Sequence, residues 1–467
     1  MRCEFAVFRF CRLAAPASAT LCLAFLLTGC NERNERSALA VALPNVTYDA
    51  TEASTASQNW PTWRGINSSG VSSDKNLPVQ WTTVEGIRWK QTVPGRGNSS
   101  PVVWGDQVLV TSAVGEGETN GLVVQSLDRR TGKLRWQTDA VQARGSSHNK
   151  NGYASASVTT DGEKVFASFG GAGLFAFDLA SGQRNWHAEL GELDHQWGSA
   201  SSPVLVGDCV IQLCDAEKDS TLKAFNKADG SPMWNTPRPS TGCWTTPVLV
   251  EATDATGQKR SELIVNGTGV DGAGAGYVIA YDPADGHELW RVQGTTDVVC
   301  PTAIVGGGLI ISTSGRNGPI TAIQPGGSGD VTASNVIWKH PRGGAYVPTG
   351  VAYRNRLYTL ADGGVISCLN LGNGDEIWRE RLRGNFTSSL VAGDGHIYAV
   401  NEYGTVYVVA AEDQFQSLAT NDMQERMLAT PAIAGGDIFL RTETQLYCVA
   451  GHNFATTQEV SQSERRP

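Results

Sequence analysis

From residue 100 onward apolar and polar residues alternate in short runs of four to eight, and Gly-Asp or Gly-Gly pairs break each run. Examples are "SPVVWGDQVLVTS" from Ser100, "SPVLVGDCVIQLC" from Ser202 and "TPAIAGGDIFLRT" from Thr430. Looser copies are "SVTTDGEKVFASF" and "VPTGVAYRNRLYTLA". A period of two with glycine-rich breaks predicts pairs of short strands joined by hairpins and rules out a helical reading.

A second phrase follows each of these runs: "LDRRTGKLRW", "FDLASGQRNW", "FNKADGSPMW", "YDPADGHELW" and "LNLGNGDEIW". Their tryptophans are Trp136, Trp186, Trp234, Trp290 and Trp378. Four residues before each stands a glycine: Gly132, Gly182, Gly230, Gly286 and Gly374. Eight residues before it stands Asp or Asn. Trp338 ends a degraded copy after an insertion, and Trp89 ends one that lacks its front half. Successive tryptophans lie 47, 50, 48, 56, 48 and 40 residues apart. A repeat of that length means a solenoid, propeller or array.

The phrase carries turn chemistry. An Asp or Asn side chain caps nearby N–H groups, glycine takes the positive-φ turn position, and the Trp stands on the following strand as an apolar plate. Two strands per phrase and two per preceding run make one four-stranded propeller blade. The expected fold is therefore all-β, a single β-propeller, with blades at 100–137, 154–187, 201–235, 245–291, 299–339, 347–379 and 388–417. An eighth blade has three strands near 430–450. The strand of Trp89 completes it, so that the N-terminal strand pairs with the C-terminal blade and no exposed edge remains. Eight blades is the count, with seven as the alternative.

The chain ends read differently. Arg2, Arg9 and Arg12 precede the apolar run 13–28, the pattern of a signal peptide over 1–29. Leu27-Thr28-Gly29-Cys30 resembles the bacterial lipobox, which implies lipidation of Cys30. Asn31 after it favours an outer membrane. Residues 30–59 are expected to form a flexible tether, 60–452 the propeller and 453–467 a disordered tail. The formal charge of −9 leaves no basic footprint for nucleic acid. Six cysteines remain in the body (Cys209, Cys214, Cys243, Cys300, Cys368, Cys448), without a metal-type spacing, and read as buried thiols. A Cys243–Cys300 bridge stays open. "DGAGAG" (271–276) reads as a spacer.

The Asp/Asn–Gly–Trp phrase is similar to the tryptophan-docking motif of the PQQ-like repeat family, over about residues 86–451. The opening "NWPTWRGINSSGVS" (59–72) also looks like the start of many exported members. The resemblance implies the propeller fold and two kinds of relative. One is the quinoprotein dehydrogenases, which hold pyrroloquinoline quinone (PQQ) and Ca²⁺ over the channel. The other is the BamB-like lipoprotein scaffold of the outer-membrane β-barrel assembly machinery, which holds no quinone.

Against the enzyme branch, the sequence has no adjacent Cys pair and none of the Gly/Trp cofactor-loop phrases. Asp215, Asp362 and Glu402, which follow inner-strand runs, read as turn and loop residues. No catalytic set, metal site or cofactor is expected. One end of the channel is chemically richer: His148, Asn151, Tyr153, His195, Trp197, Arg238, Trp244, Arg342, Tyr346, Arg383 and Phe386 lie in segments leading to the innermost strands. Aromatic and Arg side chains converging on a funnel suit ligand or protein recognition, and loop packing is the competing account. The expected function is a non-catalytic, lipid-anchored scaffold in the cell envelope, monomeric, with envelope proteins as partners. The alternatives are a PQQ/Ca²⁺-dependent dehydrogenase or a small-molecule or glycan-binding propeller.

Overall fold

The computed structural model describes residues 58–115, 120–139, 141–269 and 276–451. The signal segment, Cys30, almost all of the tether, the tail and all but Gly276 of the "DGAGAG" spacer lie outside them. The described residues form eight antiparallel sheets arranged as blades around a central channel. Blade 1 runs outward through Val102–Trp104, Gln107–Val114, Gly121–Asp128 and Leu134–Gln137. Blades 2 to 7 repeat this order over 159–188, 204–237, 248–295, 304–340, 351–381 and 391–422. Blade 8 takes three strands from 432–449, and its outermost strand is Ile87–Thr92, with Trp89 opposite Cys448. The ring thus has eight blades and closes as expected, by pairing the two ends of the repeat.

The tryptophan repeat now has a physical meaning. Each Trp faces a small residue across its strand pair: Trp136 faces Ser126, Trp186 Ala176, Trp234 Ala224, Trp290 Ala280, Trp338 Ala322 and Trp378 Cys368. A β-bulge directly follows that small residue in all six pairs. The indole then lies on the turn of the next blade. Its N–H donates to the carbonyl of the residue after the Asp or Asn: Trp89 to Arg129 (2.8 Å), Trp136 to Leu179 (3.0 Å), Trp186 to Lys227 (3.1 Å), Trp234 to Pro283 (3.2 Å) and Trp338 to Leu371 (2.9 Å). The turn glycines have φ between 72° and 78°. A Cβ on Gly230 would lie 2.6 Å from the Trp186 ring, so this position needs glycine for space as well as for φ.

Three junctions depart from the rule. Trp378 donates to the Glu412 carbonyl at 3.0 Å on a turn that has no glycine, and Phe415 packs edge-on against its ring at 5.3 Å. The insertion before Trp338 removes the turn on which Trp290 would dock. Its residues Gly329–Asp330 instead pair in parallel with the strand of Trp290, whose indole donates to Glu262 at 2.8 Å. Blade 7 has Ala419 opposite Val408 where the other blades have Trp opposite a small residue. Trp81, from the segment before the ring, packs into the same core cluster. Its backbone N–H donates to Asn421 at 2.9 Å, and Asn421 donates back to the Val79 carbonyl at 3.0 Å.

A second ring lines the channel. The N–H of the Ser or Thr that starts each inner strand donates to the hydroxyl of its counterpart in the next blade. The series is Ser100 to Ser157, Ser157 to Ser202, Ser202 to Thr246, Thr246 to Thr302, Thr302 to Thr349, Thr349 to Ser389 and Ser389 to Thr430, all at 2.9–3.1 Å. At the closing junction Arg441 of blade 8 instead donates to Ser99, Thr111 and Ser112 of blade 1. The series accounts for the hydroxyl residue that begins the first sequence motif.

Gly230→Ala should lower stability by about 2–4 kcal/mol through backbone strain and overpacking. Gly207→Ala, whose added methyl meets nothing within 4 Å, should cost less. Trp81→Ala should cost about 3–5 kcal/mol. Urea unfolding midpoints of the three variants check both statements.

Candidate functional site

The segment expected to open the propeller crosses its channel. Trp60 forms a two-bond bridge with Val103 of blade 1, and the Pro61 carbonyl accepts from Thr160 of blade 2. Arg64 donates to the carbonyls of Thr349 and Gly350 in blade 6, and Val71–Ser72 adds a parallel strand to blade 7. The Arg64 guanidinium is buried among neutral carbonyls, and burial pushes it down to about 9. The segment therefore spans the channel, tying blades on opposite sides.

Above it lies a cavity of about 620 Å³, within the range of small-molecule sites. Trp63 lines it, as do the Ser/Thr residues of the inner ring. Loop residues complete its mouth: His148, Lys150, Asn151, Trp197, Trp244, Tyr346, Asp362, Asn385 and Glu402. Trp197 and Trp244 pack with ring centroids 5.3 Å apart. Lys150 reaches from the loop between blades 1 and 2 to Glu402 of blade 7, at 2.7 Å, and Glu402 also accepts from the Thr387 hydroxyl. Asp362 accepts the N–H groups of Tyr346 and Val347. Burial raises its pKa, and those N–H bonds offset part of the rise.

Of the eleven residues proposed for this face, His148, Asn151, Trp197, Trp244 and Tyr346 do line the cavity. Tyr153 lines a smaller cleft beside it, which His148 and Asn151 share. The other five do not line either space. His195 is buried behind the tryptophans, edge-on to Trp244 at 4.4 Å. Phe386 is 1 % exposed and belongs to the core between blades 6 and 7. Arg342 and Arg383 are exposed but point to neither space.

Arg238 is fully buried and paired with Asp215 at 2.8 Å, while its other nitrogen donates to the Tyr281 hydroxyl at 2.7 Å. Burial alone would lower the pKa of Arg238, but the Asp215 charge more than offsets it and holds the guanidinium ionised. Asp215 also accepts from the Cys243 thiol at 2.9 Å, and burial raises that thiol. Cys243 and Cys300 are both free thiols, so no bridge joins them. Asp362 and Glu402 turn out to face the cavity. Lys150 was not anticipated, because nothing in "SSHNKNGY" marks its partner 252 residues away.

The comparisons extend this picture. The family described as outer membrane protein assembly factor BamB matches residues 69–241, 194–333 and 274–449. The chain belongs to this family. A BamB of Burkholderia pseudomallei is 28% identical over 271 residues, which is 54% of this chain and 62% of that relative's length. The BamB structure from Moraxella catarrhalis superposes with a TM-score of 0.56 at 14% identity, covering 78% of this chain and 98% of that one. A quinohemoprotein alcohol dehydrogenase from Comamonas testosteroni gives 0.62 at 14% identity, over 88% and 84%. Both likenesses establish the propeller fold alone. Family membership thus comes from the repeats, and the distinction between BamB-like and dehydrogenase chemistry falls to the mouth residues.

His195 yields a prediction here. Burial holds its pKa below the ordinary value of about 6.5, so the unfolded chain takes up the proton first as pH falls. Stability should therefore decline as pH drops below about 6.5 and level off once the folded imidazole also protonates. Denaturation midpoints from pH 7.5 to 5 should show this slope in the parent and lose it in His195→Gln.

Proposed function

We propose that this chain is a non-catalytic scaffold of the bacterial cell envelope that supports assembly of outer-membrane proteins and docks a protein partner at the channel mouth. The family match runs across the blades from 69 to 449, and the relatives' names speak of outer membrane protein assembly. That match is the observation on which the reading rests. The mouth supplies suitable anchors: half-buried Trp197, Trp244 and Tyr346, with Tyr403 beside Glu402 at 65% exposure. Large aromatics of this kind carry most of the binding energy in protein interfaces. A lipid on Cys30 would hold the scaffold, as a monomer, at the periplasmic face of the outer membrane.

The second reading is a dehydrogenase holding pyrroloquinoline quinone and Ca²⁺. The mouth residues do not fit that pair. The Lys150 ammonium sits 2.7 Å from Glu402, where it competes with a divalent cation for the carboxylate. Both Asp362 oxygens already accept backbone N–H groups.

Cells whose only copy carries Trp197→Ala and Tyr403→Ala should show depleted outer-membrane β-barrel proteins, while the purified variant loses some stability with the Trp197–Trp244 packing but stays folded at the growth temperature. Normal β-barrel levels in those cells, or quinone- and Ca²⁺-dependent dye reduction by the parent, would refute the reading.

A further inference from the structure

A second cleft, of about 170 Å³, lies beside the mouth at the closing junction of blades 8 and 1. Arg96, Arg426 and Arg441 all line it, together with Asn98, His148 and Tyr153. Arg96 is exposed, Arg426 is half-buried and Arg441 is 2% exposed. Among the described residues neither Arg96 nor Arg426 has a side-chain hydrogen bond or ion pair. The Arg441 guanidinium has only neutral partners, the Ser99 and Thr111 carbonyls and the Ser99 and Ser112 hydroxyls, and its Nε has none. Among the described residues the one carboxylate on the lining is the exposed Glu443.

Among the described lining residues three guanidiniums stand against one carboxylate, an excess of two positive charges in a chain whose net charge is −9. Arg238 is paired with a buried carboxylate, Asp215, whereas Arg441, like Arg64, is buried among neutral partners, and Arg441 alone of these two shares a cleft with other guanidiniums. Here a buried cation shares its cleft with two more accessible ones and has no carboxylate partner. A concave site lined by one sign of charge concentrates its field on a counter-ion. Guanidinium forks suit oxyanions, which accept two parallel N–H bonds from each.

We infer that this cleft is an anion site that takes a phosphate-type dianion, held by Arg96 and Arg426 above the buried charge of Arg441. The excess of two charges matches a dianion. The volume holds an oxyanion of that size and lies below the range of drug-sized sites. The rest of a phosphomonoester would lie toward the main cavity, because His148 and Asn151 line both spaces. The desolvation that pushes Arg441 down to about 9 is the cost that such an anion would relieve. The assignment does not depend on the scaffold reading.

Calorimetric titration of the full chain in neutral detergent with inorganic phosphate should give saturable one-to-one binding. The double variant Arg96→Ala/Arg426→Ala should weaken it about tenfold or more, and Arg130→Ala/Arg184→Ala, at exposed sites elsewhere, should leave it unchanged. A parallel arm uses micelles doped with phosphatidic acid or with phosphatidylcholine. Phosphate binding alone assigns a free anion. Phosphatidate binding that inorganic phosphate displaces assigns a lipid headgroup. Absence of saturable binding in both arms would overturn the site, as would equal losses in the two double variants. Because the Arg96 and Arg426 side chains make no hydrogen bond or ion pair among the described residues, and alanine keeps their backbone bonds, their loss tests binding without unfolding the ring.

Discussion

A ring of blades is stable only if every blade finds the next at the same distance and angle, and one contact sets that spacing here. An indole lies flat on a glycine turn and donates to a carbonyl beside it. The contact constrains three positions at once. At five junctions the turn is glycine, the cross-strand neighbour is Ser, Ala or Cys, and a bulge turns the strand under the ring; Trp378 keeps the last two features and packs on Phe415 instead of a glycine. Where one condition is missing, the structure supplies another plate: Glu262 and an extra strand for Trp290, and Trp81 for the absent tryptophan of blade 7. The Ser/Thr bonds repeat the same spacing at the channel wall, so each junction is fixed at its inner and outer radius.

This rigidity is what makes the loops useful. Propeller blades carry function on the segments between strands, and here those segments converge on one end of the channel while residues 60–72 cross it from within. The result is a mouth with a fixed frame and a solid floor. Its aromatic side chains can be presented to a partner without ordering cost, which favours recognition. The Lys150–Glu402 pair joins two distant loops across the mouth, so the rim is held from both sides.

The repeat was legible because its information is local: an Asp or Asn, a glycine and a Trp within nine residues specify a turn and a plate. Ring closure was legible too, since an orphan Trp strand and an incomplete last blade have one joint solution. What escaped was every interaction whose two halves lie far apart in sequence. Nothing near Arg238 announces that Asp215 will bury it, and Phe386 has the same local context as an exposed loop aromatic. Nothing around the Ser or Thr of each inner-strand motif shows what its hydroxyl binds. Its real partner is a backbone N–H one blade away. The crossing of the channel by residues 59–72 was missed for the same reason, because its partners sit in blades 1, 2, 6 and 7.

The proposed scaffold role requires the channel mouth to be the face that meets the assembly machinery. A photo-crosslinking residue placed at Tyr403, in living cells, tests it most directly, with Met233 on the outer rim of blade 3 as the comparison. If the mouth is the docking face, position 403 should crosslink to a component of the outer-membrane β-barrel assembly machinery and position 233 should not. Crosslinks to that machinery from 233 alone would place the interface on the rim and contradict it.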